Sequence, residues 1–265
     1  MQTNQPIGIF DSGVGGTSIW KEVIALLPHE NTIYLSDSKN APYGEKSKED
    51  IVALCIKNTE FLLKQNCKLI VVACNTATTN AIEYLRNTYN VPFIGIEPAI
   101  KPAALKTKTN TIGILATKGT LNSALFEKTS STFRTHIKIK ETIGKGLVEL
   151  IEKGKFNSKE TTALLQYYLQ PMIEENIDAL VLGCTHYPYL IPQIRKIVGN
   201  TIKIIDSGEA VAKQTKAILK KNELLQLQKE ISKHFFYINM DKNTLKKLVL
   251  NANNKKQVKV IETTF

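Results

Sequence analysis

Apolar, β-branched runs alternate with helical patterns along most of this chain. Strands are predicted near residues 6–10, 31–36, 68–73 and 92–96, with helices at 16–27, 47–66 and 77–88 between them. Such alternation implies parallel strands covered by helices on both faces, because a parallel connection needs a crossover of helix length. A second series follows, with strands near 111–115, 136–141, 179–183 and 202–205 and helices near 121–132, 144–153, 158–175 and 189–197. The stretch 98–110, with Pro102 and several lysines, reads as the crossing into a second lobe. After Asp206 come a helix, a strand at 234–239, a helix and a strand at 258–262. These have no counterpart in the second series and are expected to return to the first lobe.

The two series echo each other residue by residue. Ile7-Gly-Ile-Phe-Asp11-Ser12 is matched by Ile112-Gly-Ile-Leu-Ala116-Thr117, about 105 positions later, and Leu69-Ile-Val-Val-Ala-Cys74 by Ala179-Leu-Val-Leu-Gly-Cys184, about 110 later. Phe93 to Glu97 and Lys203 to Asp206 keep the same spacing. A repeat of this length is a domain rather than a solenoid unit. The expected fold is α/β: two similar Rossmann-like lobes with parallel-rich sheets, related by a pseudo-twofold axis, with the active site in the cleft between them. The expected boundaries are 1–98 plus 207–265 for the first lobe and 99–206 for the second.

Composition narrows the class without naming a function. With 43% hydrophobic and 22% charged residues in 265, the chain is an ordinary globular one, and disorder is excluded. The start has no basic stretch leading into an apolar one, and no uncharged apolar run approaches the ~18 residues of a spanning helix, so a cytoplasmic protein without membrane contact is expected. Four cysteines without framework spacing are then expected as thiols. The net charge of +11 raises nucleic-acid binding, but the only arginines are Arg86, Arg134 and Arg195, and the lysines are scattered. A solvated lysine surface is the simpler account, and no nucleic-acid partner is expected.

Chemistry concentrates at predicted strand ends, where open α/β folds bind ligands. Cys74-Asn75-Thr76 and Cys184-Thr185-His186 each place a thiol, with hydrogen-bonding neighbours, where a strand gives way to a helix; a helix N-terminus favours thiolate. One such cysteine alone is more readily a core residue, and Cys55, on an apolar helical stripe with Ile51, Leu54 and Leu62, reads as core. Two in matching positions point to chemistry from two sides of one substrate. Asp11-Ser12-Gly13-Val14-Gly15-Gly16 departs from a dinucleotide fingerprint at Ser18, and Asp11 would repel a pyrophosphate. A small zwitterion, its amino group on Asp11 and its carboxylate on the loop N–H groups, fits better; a plain strand-to-helix turn capped by Asp is the alternative. Ser36-Asp37 and Ala41-Pro-Tyr43-Gly44 form a loop on the same sheet edge, with Asp37 a candidate base-tuning carboxylate or an Asx turn. Cys184-x-His186 lacks the further ligands zinc requires, so no metal is expected, whereas a Cys–His nucleophilic dyad is a real rival. Glu149 and Glu152 share a helical face, and either carboxylate near His186 would fix its tautomer.

Asp11-Ser12, Pro42-Tyr43-Gly44, Cys74-Asn75-Thr76, Thr117-x-x-Thr120, Glu152 and Cys184-Thr185-His186 resemble the glutamate racemases of the cofactor-independent aspartate/glutamate racemase family. The resemblance runs from about Ile7 to beyond Asp206, with a weaker tail. It implies an isomerase (EC 5.1.1.3) that interconverts L- and D-glutamate without a cofactor, supplies D-glutamate for peptidoglycan, and forms a homodimer. It also implies that Cys74 removes the α-proton of D-glutamate and Cys184 that of L-glutamate, with Asp11 and Asp37 assisting near Cys74 and Glu152 and His186 near Cys184. Substrate would be bound by Asp11, Ser12, Tyr43, Gly44, Asn75, Thr76, Thr117, Thr120, Thr185 and His186. An amidohydrolase using Cys184 and His186, and a non-catalytic amino-acid-binding module, remain the alternatives.

Overall fold

A computed structural model describes residues 2–228, 230–250 and 257–265. In the first half, β1 (Ile7–Asp11), α1 (Thr17–Leu26), β2 (Thr32–Ser36), α2 (Lys48–Lys64), β3 (Leu69–Val72), α3 (Asn75–Thr88), β4 (Phe93–Gly95) and α4 (Ile100–Ala104) follow in order. The second half continues with β5 (Thr111–Ala116), α5 (Lys118–Leu121), α6 (Ala124–Arg134), β6 (Lys138–Ile143), α7 (Leu147–Glu152), α8 (Lys159–Glu174), β7 (Ala179–Gly183), α9 (Ile191–Val198), β8 (Lys203–Ile205) and α10 (Gly208–Lys221). The chain closes with β9 (His234–Ile238), α11 (Asn243–Val249) and β10 (Val258–Glu262).

Two parallel sheets result, ordered β10-β9-β2-β1-β3-β4 and β6-β5-β7-β8. The shorter order superposes on the longer if β5 stands for β1, β6 for β2, β7 for β3 and β8 for β4. That is the repeat made physical. The apolar runs of β1, β3, β5 and β7 are buried along their whole length, as a strand covered by helices on both faces must be. β9 pairs with β2 and β10 with β9, extending the first sheet alone. This extension is anchored by aromatic packing, with Trp20 of α1 set edge-on to Phe236 at 4.8 Å and to His234 at 5.4 Å.

Helix starts follow local chemistry. Ser47, Ser123 and Ser158 each accept a backbone N–H at the first turn of α2, α6 and α8. The lysine-rich crossing at 98–110 contains the short helix α4. One expectation needs correction. The helix expected at 189–197 is broken into a 3-10 turn, Tyr187–Leu190, and then α9, with Pro188 and Pro192 in their first turns, where a missing N–H is least costly.

The two halves share an apolar core. One buried cluster runs from Ile9, Val14 and Trp20 through Val148 and Ile151 to Tyr187 and Leu190. Polar ties cross the same boundary: the Thr17 and Tyr189 hydroxyls are 2.5 Å apart, and Ser18 Oγ donates to the Thr185 carbonyl at 2.9 Å. Among the described residues no helix is long and apolar enough to cross a membrane.

Candidate active site

The carboxyl ends of β1 and β3 face those of β5 and β7 across a closed cavity. Its wall is Ser12, Tyr43, Gly44, Cys74, Asn75 and Thr76 on one side and Thr117, Val148, Cys184, Thr185 and His186 on the other. The free volume is ≈ 10 Å³, room for about one water. Asp11, Asp37, Thr120 and Glu152 stand behind this wall and act on the residues that form it.

Cys74 is the N-cap of α3, and its Sγ accepts the Ala77 N–H at 3.4 Å and donates to Ser12 Oγ at 3.7 Å. The helix terminus was expected to favour thiolate here. The balance runs the other way: burial, and next the Asp11 carboxylate, push the Cys74 thiol well above its ordinary range, outweighing those two hydrogen bonds. In the closed cavity Cys74 therefore carries its proton. Asp11 is itself fully buried, takes the Gly16 N–H at 2.7 Å, and lies 3.4 Å from the hydroxyls of Ser12 and Thr185. Burial pushes its carboxyl up to about 6, with the His186 ring and the Gly16 N–H pulling against that rise.

Cys184 has a different neighbour. No α-helix starts directly after it, and its Sγ instead lies 3.8 Å from His186 Nδ1. The other ring nitrogen, Nε2, is 2.6 Å from Glu152 Oε1. Burial alone would lower the proton affinity of His186, but the contacts to Cys184 and Glu152 outweigh it and hold the ring well above the ordinary histidine range. The Gly15 N–H also approaches Nε2, at 3.2 Å, yet a ring nitrogen that carries a proton cannot accept it, so the shorter bond to Glu152 prevails. An imidazolium here donates toward both Cys184 and Glu152.

Glu152, the last residue of α7, also takes the Val14 N–H at 2.7 Å and the Ser38 hydroxyl at 2.7 Å. The loop after β1 does hold a carboxylate, but it is the protein's own. This corrects the expectation that those N–H groups wait for a substrate. It also explains the glycines: a Cβ on Gly13 would fall 2.0 Å from Glu152 Oε1, and one on Gly15 would fall 2.2 Å from His186 Nδ1.

Asp37 is engaged with Tyr43 OH at 2.5 Å, Asn239 Nδ2 at 2.5 Å and Asn40 Nδ2 at 2.8 Å, while Asn58 Nδ2 donates to Tyr43 OH at 3.1 Å. Its direct effect is to orient Tyr43, which borders Cys74 in the cavity. Thr76, Thr117 and Thr120 form a triangle of hydroxyl contacts at 2.8, 3.2 and 3.0 Å. Asn75 is buried at the cavity wall with neither amide atom paired among the described residues, which leaves a donor and an acceptor for a polar ligand. All four cysteines are free; Cys55 and Cys67 are buried elsewhere, and burial pushes Cys67 up to about 12. No group of three or more His, Cys, Asp or Glu among the described residues is placed to hold a metal ion. Asn58 and Asn239 carry no signal in the sequence, and Ser38 only its place beside Asp37 at a strand end; Val14 lies in the loop whose N–H groups the sequence marks as anion holders, with Glu152 as the carboxylate they meet.

The family model for Asp/Glu/hydantoin racemases matches residues 16–215. The chain is 46% identical over 228 residues to a glutamate racemase of Ectopseudomonas mendocina, covering 86% of this chain and 87% of that one. Among solved structures, a glutamate racemase isoform of Bacillus anthracis matches with a TM-score of 0.86 and 31% identity over 99% of this chain and 98% of the other. A glutamate racemase of Francisella tularensis in complex with D-glutamate matches with a TM-score of 0.83 and 28% identity over the same shares. With its duplicated sheets and a cavity bordered by two thiols, the chain belongs to the Asp/Glu/hydantoin racemase family.

Proposed function

We infer that this protein interconverts L- and D-glutamate without a cofactor, one thiolate removing the α-proton and the opposite thiol returning a proton to the other face. The observation that carries the reading is the pair Cys74 and Cys184 on one closed cavity, each at the same strand end of a duplicated fold. With Cys184 as thiolate beside the His186 imidazolium and Cys74 as thiol, L-glutamate loses its α-proton to Cys184 and receives one from Cys74 on the opposite face. D-glutamate then leaves behind a Cys74 thiolate and a Cys184 thiol, the state needed for the reverse reaction. The unpaired Asn75 amide, Thr76 and Thr117 hold the amino acid's charged groups, and a dry cavity keeps the short-lived carbanion from solvent. Glutamate does not fit a space for one water, so the lobes, taken as 1–98 plus 207–265 and 99–206, must part to admit it.

The working form is a cytoplasmic homodimer that feeds D-glutamate to peptidoglycan synthesis, and light scattering on the purified protein tests the dimer. The 3.8 Å contact of Cys184 with His186 also suits a Cys–His hydrolase. Solvent deuterium separates the two readings. A racemase places deuterium at Cα of either enantiomer and equilibrates both, and Cys74→Ala abolishes equilibration; a hydrolase exchanges neither enantiomer and keeps its activity in that variant.

A further inference from the structure

The mechanism leaves one contact of the site unused. Ser38 is buried, in the turn after β2, and its Oγ is 2.7 Å from Glu152 Oε2 and 3.1 Å from Ser36 Oγ. A carboxylate only accepts, so Ser38 donates to Glu152 and its oxygen is left to accept from Ser36. The hydroxyls thus form a directed chain ending on the carboxylate that holds His186. Val14 N–H and His186 share Oε1, whereas Oε2 receives Ser38. Without that donor Oε2 is untied and only contacts at Oε1 resist rotation of the carboxylate about its last bond, which loosens its hold on Nε2.

We propose that Ser38 is a positioning residue for the Cys184 half-reaction: from the first lobe it locks Glu152 of the second, and so keeps the His186 imidazolium aimed at Cys184. Ser38 touches neither thiol and acts only through Glu152. The inference rests on the racemase reading and on the assignment of Cys184 to L-glutamate.

The test is kinetic, with S38A, S38T and E152Q in the full-length enzyme. Enantiomers are equal in free energy, so kcat/KM must fall equally in both directions and cannot by itself say which thiol is affected. Loss of one hydrogen bond to a charged group leads us to expect roughly a tenfold fall for S38A, mostly in kcat. S38T, which keeps the hydroxyl, restores activity. With proton removal by Cys184 now slower, the primary isotope effect on kcat/KM should rise for α-deuterated L-glutamate and shrink for α-deuterated D-glutamate. In an E152Q background, S38A should cost little more. An unchanged kcat/KM in S38A overturns the proposal, as do isotope effects that move together or in the opposite sense, or a full additional loss in the E152Q background. A wild-type protein that equilibrates neither enantiomer sinks the racemase reading, and this inference with it.

Discussion

Replacing Asp11 by Asn should make the protein more stable and much less active. Asp11 is fully buried, and burial raises its carboxyl from 3.8 to about 6. At roughly 1.4 kcal/mol per pH unit, that rise amounts to about 3 kcal/mol by which the folded state is destabilised when the group is ionised. The sign follows from proton binding. Between pH 3.8 and 6 the folded protein binds more protons than the unfolded chain, so this contribution worsens as pH rises and is fully felt above about 6. Asn keeps an acceptor for the Gly16 N–H and offers an amide to the hydroxyls of Ser12 and Thr185. Urea unfolding of both proteins at several pH values is the assay. Asp11→Asn should exceed wild type by up to about 3 kcal/mol at pH 7.5, with the gap closing toward pH 4, while kcat/KM falls by roughly 10²-fold or more. A variant no more stable than wild type at pH 7.5, or a gap that does not change with pH, would refute the claim that Asp11 is kept ionised at the expense of the fold.

Three further outcomes are expected. Gly15→Ala places a Cβ 2.2 Å from His186 Nδ1, so the ring must leave its position against Cys184, and kcat should drop on the order of 10²-fold in a protein that still folds by circular dichroism. His234, pushed down to about 4 by burial between Trp20 and Thr32, takes up a proton on unfolding; wild type should lose up to about 3 kcal/mol relative to His234→Gln as pH falls from 6.5 to 4, measured by urea titration. Lys68→Met leaves Glu30 buried without its 2.5 Å partner and should lower stability by about 3–5 kcal/mol, much of which Lys68→Met with Glu30→Gln should recover.

The architecture was open to reading because it rests on local signals. Continuous apolar runs can only be buried strands here, and the echo between Ile7–Ser12 and Ile112–Thr117 made the second sheet a copy of the first. The thiols were legible for the same reason, since each ends a strand. What the sequence hid were long-range contacts and their energetic balance. Val14 and Ser38 meet Glu152 from more than a hundred positions away, and nothing in the loop that bears them names that partner. The helix terminus at Cys74 was visible, but the Asp11 carboxylate and the burial that overrule it exist only once the sheet is assembled. Likewise Pro188 and Pro192 were in view, but not that the helix expected after Cys184 would split into a 3-10 turn and α9.

The grip on Glu152 has a consequence for timing. On the proposed lobe boundaries Val14 and Ser38 fall on one side of the cleft and Glu152 on the other, so the parting inferred above for glutamate entry would draw the carboxylate away from the groups that steady it. The base is put together by the same movement that seals the cavity. While the cleft is open, Cys184 therefore lacks an aimed imidazolium, and the two thiols work as a pair only behind a closed door.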